Sequence, residues 1–198
     1  MPLQILEQLF DSPAKALLLK LFLRNPEEIF SLSEISRRIQ ANLKVVRRQV
    51  EGLQKIGFLK KKIISRKIKE KRAGVYFWVN PQFEFYSELG TLVLKSSPAS
   101  LDKIFRQIKK LGRVKLAIVS GVFLNLENSR ADLLIVGDGI KKRRLEIFLQ
   151  NLEAEVGRTV NYTIFSTEDF KYRYEMFDRF LLDVLEKPHQ KLINKLRI

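Results

Sequence analysis

Asn42, Lys44, Arg47, Arg48 and Gln49 lie within eight consecutive residues, and each carries a group that hydrogen-bonds phosphates or base edges. A second basic group, Lys67, Lys69, Lys71 and Arg72, follows in a stretch that reads as a turn. Residues 42–72 hold twelve basic side chains against two acidic ones, Glu51 and Glu70, so +10 of the chain's +15 is concentrated there. Charge this localised steers toward a polyanion rather than merely keeping a chain in solution. A membrane surface would demand a broad, bulky apolar face beside the basic one, whereas the apolar positions here are needed for a core.

The elements that must position these residues follow from periodicity and capping. Residues 29–31 are a brief apolar strand, and Ser33 is placed to cap a helix over residues 34–39. A second helix follows Ala41 and Asn42 and runs to about residue 56. Val46, Val50 and Leu53 form its inward stripe, and Gly57 stands where positive φ is expected. Phe58 and Leu59 begin a strand, Lys60, Lys61 and Lys62 lead into residues 63–68, and 69–74 make a basic turn. Residues 75–79, Val-Tyr-Phe-Trp-Val, return as an aromatic strand. Upstream, Leu3, Ile5, Leu6, Leu9 and Phe10 mark a short helix. Ser12 then caps, and Pro13 opens, a helix carrying Leu17, Leu18, Leu21 and Phe22.

Over residues 12–80 this pattern resembles the winged helix-turn-helix regulators of the ArsR and MarR type. The resemblance is carried by Val46-Arg47-Arg48-Gln49-Val50-Glu51-Gly52-Leu53 and Gln54-Lys55-Ile56-Gly57-Phe58-Leu59. It implies double-stranded DNA as partner, read by the second helix and the basic turn.

Asn80-Pro81 ends that unit, because proline cannot continue a strand ladder. A connecting helix is expected over residues 83–95, weakened by Gly90, and a break at 96–100. Leu101, Ile104, Phe105, Ile108 and Leu111 mark the next helix. Strands are expected at 114–120, 131–137 and 159–165. A helix at 141–155 presents Leu145, Phe148, Leu149 and Leu152, and Thr167 is expected to cap another. Phe177, Phe180, Leu181, Val184 and Leu185 form a last apolar stripe.

From about residue 100 to 195 this order is similar to the minimal nucleotidyltransferase fold of the DNA polymerase beta superfamily. The residues that carry the similarity are Gly121, the run 129–137 around Ala131-Asp132-Leu133, the run 156–166, and Thr167-Glu168-Asp169-Phe170. In active members the resemblance implies a Gly-Ser pair on the phosphates, an Asp-x-Asp pair on one face of a strand, and a third carboxylate nearby. Here Val122 stands at the serine position, Arg130 at the first aspartate and Asn161 at the third carboxylate; Asp132 alone remains. Two carboxylates lost and a guanidinium gained would repel a divalent cation. No enzyme activity, metal or cofactor is therefore expected. The relic pocket of Gly121, Val122, Arg130, Asp132 and Asn161 has two readings. Either Asp132 is a strand-end residue paired with Arg130 in a dimerisation scaffold, or Arg130 replaces the metal's charge and the pocket takes a nucleotide or phosphate effector.

The chain has no cysteine, one histidine (His189), and no basic stretch ahead of an apolar one at its start. Its most apolar run, residues 16–23, is interrupted by Lys20 and is too short to span a bilayer. A cytoplasmic, soluble protein without a membrane partner is expected. The expected fold is α+β: a winged helix-turn-helix over residues 1–80, a linker over 81–100, and a small nucleotidyltransferase-like domain with a mixed sheet over 101–198. The expected function is sequence-specific DNA binding in transcriptional regulation, as a homodimer. Its interface is expected on Leu3, Leu6, Leu9 and Phe10, or on Phe83, Tyr86, Leu89 and Val93. An active nucleotidyltransferase and an antitoxin-like scaffold are the alternatives.

Overall fold

The structure, a computed structural model, describes residues 2–65, 73–95, 101–126 and 129–198. It is a mixed α+β chain with two sheets. It divides into two compact units, Met1–Pro98 with Glu153–Arg158, and Ala99–Leu152 with Thr159–Ile198.

The first unit opens with α1 (Pro2–Leu9) and α2 (Pro13–Arg24). Pro13 occupies the first turn, where no N–H is required, and Ser12 Oγ accepts a hydrogen bond from the Lys15 N–H at 3.2 Å. β1 (Phe30–Ser31), α3 (Leu32–Ile39) and α4 (Leu43–Lys55) follow, then β2 (Leu59–Ile64), β3 (Gly74–Val79) and α5 (Tyr86–Lys95). The three strands form an antiparallel sheet in the order β1-β3-β2, with Phe30 opposite Phe77 and Leu59 opposite Val79. Its core joins Leu18, Phe22, Phe30, Ile35, Val46, Val50, Phe58 and Val79. Phe22 and Phe30 meet edge to face at 5.7 Å.

Several boundaries differ from the sequence reading. Helix α3 is capped by Ser31 rather than Ser33: Ser31 Oγ accepts from the Glu34 N–H at 3.3 Å, and the Ser31 N–H donates to Glu34 Oε2 at 2.7 Å. This reciprocal capping box satisfies two orphan donors, one more than Ser33 alone would. Lys60, Lys61 and Lys62 lie inside β2, paired with Trp78, Phe77 and Tyr76, and the strand ends at Ile64 rather than continuing to residue 68. The connecting helix starts at Tyr86, three residues after its expected start. Leu6 is 2% exposed and belongs to the core, so it offers no surface for a partner; Ile5 and Leu9 are exposed, and the Leu3 side chain lies outside the described residues. Phe83, Tyr86, Leu89 and Val93 likewise pack against this core.

The second unit contains α6 (Leu101–Ile108), β4 (Arg113–Val119), a 3-10 turn (Gly121–Leu124), β5 (Leu133–Asp138) and most of α7 (Lys142–Val156). β6 (Tyr162–Phe165), α8 (Thr167–Glu175), α9 (Arg179–Glu186) and β7 (Gln190–Asn194) complete it. The sheet order is β6-β5-β4-β7; β5 and β6 are parallel, the other pairs antiparallel. β5 sits inside the sheet, and its unbroken apolar run suits a strand covered on both faces. β7 was not anticipated, since its residues alternate too weakly to stand out. Helix α8 is capped by Ser166, whose Oγ accepts from the Asp169 N–H at 3.0 Å, and Thr167 is already helical. Phe177, expected on the inner stripe with Leu181 and Val184, lies before α9 at φ +53° and is 76% exposed.

Among the described residues of the first unit, Lys20 is a buried charge. Lys20, whose position in the apolar run suggested an interruption, is 1% exposed, and its Nζ donates to the Glu155 carbonyl at 3.5 Å. Asn25 Nδ2 donates to the Gly157 carbonyl at 2.7 Å, so α2 supplies donors to the carbonyls at the end of α7. Burial, reinforced by the Arg24 charge, lowers the Lys20 pKa from its ordinary 10.5 to about 8, against the opposing pull of Glu155 and Glu7. Below pH 8 the ammonium is charged whether the chain is folded or unfolded, and its desolvation cost is fully present. Between pH 8 and 10.5 the folded state sheds the proton first, so this group's contribution to stability rises with pH. Lys20→Met is expected to stabilise the protein at pH 7 by about 1–3 kcal/mol. Urea melts at pH 7 and pH 10 should show that advantage shrinking at the higher pH.

Candidate nucleic-acid interface

Helix α4 is built from its start. Asn42 Oδ1 accepts a hydrogen bond from the Lys44 N–H at 2.8 Å, which satisfies an orphan donor of the first turn. Val46, Val50 and Leu53 are buried, and this fixes which face of the helix turns outward. Gly57 takes φ +83°, and the Asn80 amide donates to its carbonyl at 3.0 Å, closing the turn into β2.

The outward face carries Lys44, Arg47 and Arg48, all exposed, with Lys55 two turns further along. Among the described residues, Lys44, Arg47 and Arg48 form no ion pair, so their donors are available to an external anion. Two expected contacts are placed differently. Asn42 uses its side-chain oxygen on the helix cap, so it positions the helix and no longer offers that acceptor to a base. Gln49 is half-buried at the edge of the exposed face. Lys67, Lys69, Lys71 and Arg72 lie outside the described residues. Lys60, Lys61 and Lys62 on β2 are exposed and extend the positive surface.

The second candidate centres on Asp132, which is 6% exposed. Its Oδ1 accepts from the Val122 N–H at 2.8 Å and its Oδ2 from the Asn161 N–H at 2.9 Å. Its own N–H donates to the Asn161 carbonyl at 2.7 Å, and its carbonyl accepts from the Ser120 N–H at 2.9 Å. One residue thereby ties the end of β4, the 3-10 turn and the approach to β6. Gly121 makes this close contact feasible: it sits at φ +50°, and a Cβ there would collide with Asp132 Oδ1. Val122 is buried and meets Asp132 only through its backbone, as does Asn161, whose side chain is exposed.

Arg130 does not pair with Asp132. Its Nε lies 2.6 Å from Asp183 Oδ2, an ion pair that sequence reading missed because the partners are 53 residues apart. No family model, curated protein or solved structure matches this chain. The site must therefore be judged on its own groups. Among the described residues no cluster of three or more His, Cys, Asp or Glu is arranged to hold a metal ion, and no helix is long and apolar enough to cross a membrane.

Two further carboxylates act locally. Asp138 accepts from the Thr167 N–H at 3.0 Å and from its hydroxyl at 2.8 Å, with Lys115 at 3.5 Å; the Thr167 N–H is the first cause holding its pKa below the usual carboxylate range. Asp178 caps α9 through the Phe180 and Leu181 N–H groups and pairs with Arg173 at 3.0 Å. Asp178 is a cap that its position before an apolar helical stripe could have revealed.

Asp132→Asn turns one carboxylate acceptor into a donor facing a backbone N–H. It is expected to destabilise the protein by about 1–3 kcal/mol. Gly121→Ala adds both a forbidden backbone conformation and the collision with Asp132, and should cost at least as much. Thermal melts of the two variants beside Arg130→Ala, expected within about 1 kcal/mol of wild type because its ion pair is half exposed, check the ranking.

Proposed function

We propose that this protein is a sequence-specific double-stranded DNA-binding regulator whose first unit is a winged helix-turn-helix. The observation that carries the reading is the exposed cationic face of α4, which makes no ion pair among the described residues and is held outward by the buried apolar stripe. Two features support it. Strands β2 and β3 follow α4 and pair with the earlier β1 in an antiparallel sheet β1-β3-β2, with the lysine-rich β2 beside α4. The strands β2 and β3 also flank residues 66–72, which carry most of the remaining local charge.

In this reading α4 enters the major groove, its first turns reach base edges, and the lysines of β2 and the following basic segment contact phosphates. The second unit is proposed to be a nucleotidyltransferase-like scaffold without transfer chemistry. Its remaining aspartate is occupied by backbone donors, and Arg130 is neutralised by Asp183. A homodimer would set two α4 helices on successive major grooves. Of the expected N-terminal face, Leu9 is exposed to such a contact, and Ile5 beside it on α1 is exposed as well.

Binding to duplex DNA should fall steeply with salt; about five phosphate contacts give a log–log slope of roughly −4 to −5. Arg47→Ala and Arg48→Ala should each weaken binding, and a base-reading arginine should also lose discrimination worth about 1–3 kcal/mol. Fluorescence anisotropy across a salt series measures both, and salt-independent binding would reject the reading. The scaffold assignment predicts no transfer from any nucleoside triphosphate with Mg²⁺ or Mn²⁺. Metal-dependent labelling of RNA or protein that is lost in Asp132→Ala, in a variant shown to be folded, would overturn it.

A further inference from the structure

We infer that Leu43 and Val45 recognise thymine methyl groups, so that the duplex selected by this protein carries thymine beneath the first turn of α4. The inference rests on the DNA-binding reading above and names what that site reads.

Leu43 and Val45 are the first and third residues of α4, and they leave 43% and 44% of their surface to solvent. Neither belongs to the stripe that closes the core, which is Val46, Val50 and Leu53. Helix geometry sets Leu43 one turn before Arg47 and Val45 one turn before Arg48, so the two apolar side chains border the cationic row on either side. This arrangement discriminates among partners. A bilayer wants a broad apolar face, and here the two exposed apolar groups are separated by the cationic row. The core of a protein interface is depleted of lysine and other charges, and here Lys44, Arg47 and Arg48 lie between Leu43 and Val45.

The partner that fits is polyanionic and presents small, separate apolar groups between hydrogen-bonding edges. The major groove of DNA does so: among its base edges, the C5-methyl of thymine is the apolar group. Leucine and valine side chains carry no donor or acceptor, so methyl contact is the discrimination open to them. The N-terminal turns of a groove-inserted helix are also those that reach base edges. Covering one methyl corresponds to about a threefold to fivefold gain in affinity.

The test uses the full chain. Duplexes are selected from a random pool, then prepared with thymine or with uracil, which removes only the methyl groups. Binding of both is measured for the wild type and for Leu43→Ala, Val45→Ala and the double variant, each verified as folded by its melting curve. The expected result is a roughly tenfold to twentyfold weaker binding of the uracil duplex by the wild type, two methyl contacts being lost, and equal binding of the two duplexes by the double variant. Equal binding by the wild type, or a thymine preference that survives in the double variant, overturns the inference. Steep salt dependence without a methyl effect removes the inference and leaves the DNA-binding reading standing. Failure of the wild type to select or bind any duplex removes both.

Discussion

Burial of Val46, Val50 and Leu53 fixes the rotation of α4 about its own axis, and the first unit is organised by that constraint. The three positions recur at helical spacing, so once they face Leu18, Phe22 and Ile35 the remaining faces have no freedom. Lys44, Arg47 and Arg48 must then point away from the core. Concentrating these cations on one face adds self-repulsion, which a polyanion would relieve. A folding requirement thus generates the surface on which the proposed function depends.

The second unit is governed by a different constraint, the satisfaction of one buried carboxylate. An ionised carboxylate removed from water is costly unless its oxygens receive hydrogen bonds. Asp132 meets this with two backbone N–H groups, from Val122 and Asn161. The same contacts stitch the ends of three strands and demand glycine at residue 121. Asp132 acts as a polar rivet between these segments. Arg130, turned to Asp183, leaves that rivet undisturbed.

Lys20 and Asn25 show how the first unit accommodates polar groups inside an apolar helix packing. The carbonyls at the end of α7 lack helical partners, and the Lys20 ammonium and Asn25 amide supply donors to them. Gly157, at φ +85°, brings its backbone within reach, since a Cβ there would press on the Lys20 backbone at 2.8 Å. A buried cation at a helix C-terminus also meets the favourable end of the helix dipole.

The sequence by itself determined the features whose causes are local. The α4 stripe, the Asn42 start, the Gly57 turn and the Ser12-Pro13 helix opening each depend on residues within one or two turns, and so do the apolar run of β5 and the concentration of charge in residues 42–72. Partners distant along the chain were decided only by the tertiary structure. Arg130 could not be assigned to Asp183, nor Lys20 to the Glu155 carbonyl, from spacing alone, because folding and not periodicity sets which segments meet. Leu6 looked free on a short amphipathic helix and is buried, while Phe177 looked buried and is exposed, because periodicity finds an apolar face without saying what covers it. Asp132 is the sharpest case. Its identity was plain in the chain, but whether its oxygens were open to a ligand depended on two backbone N–H groups, one of them 29 residues away.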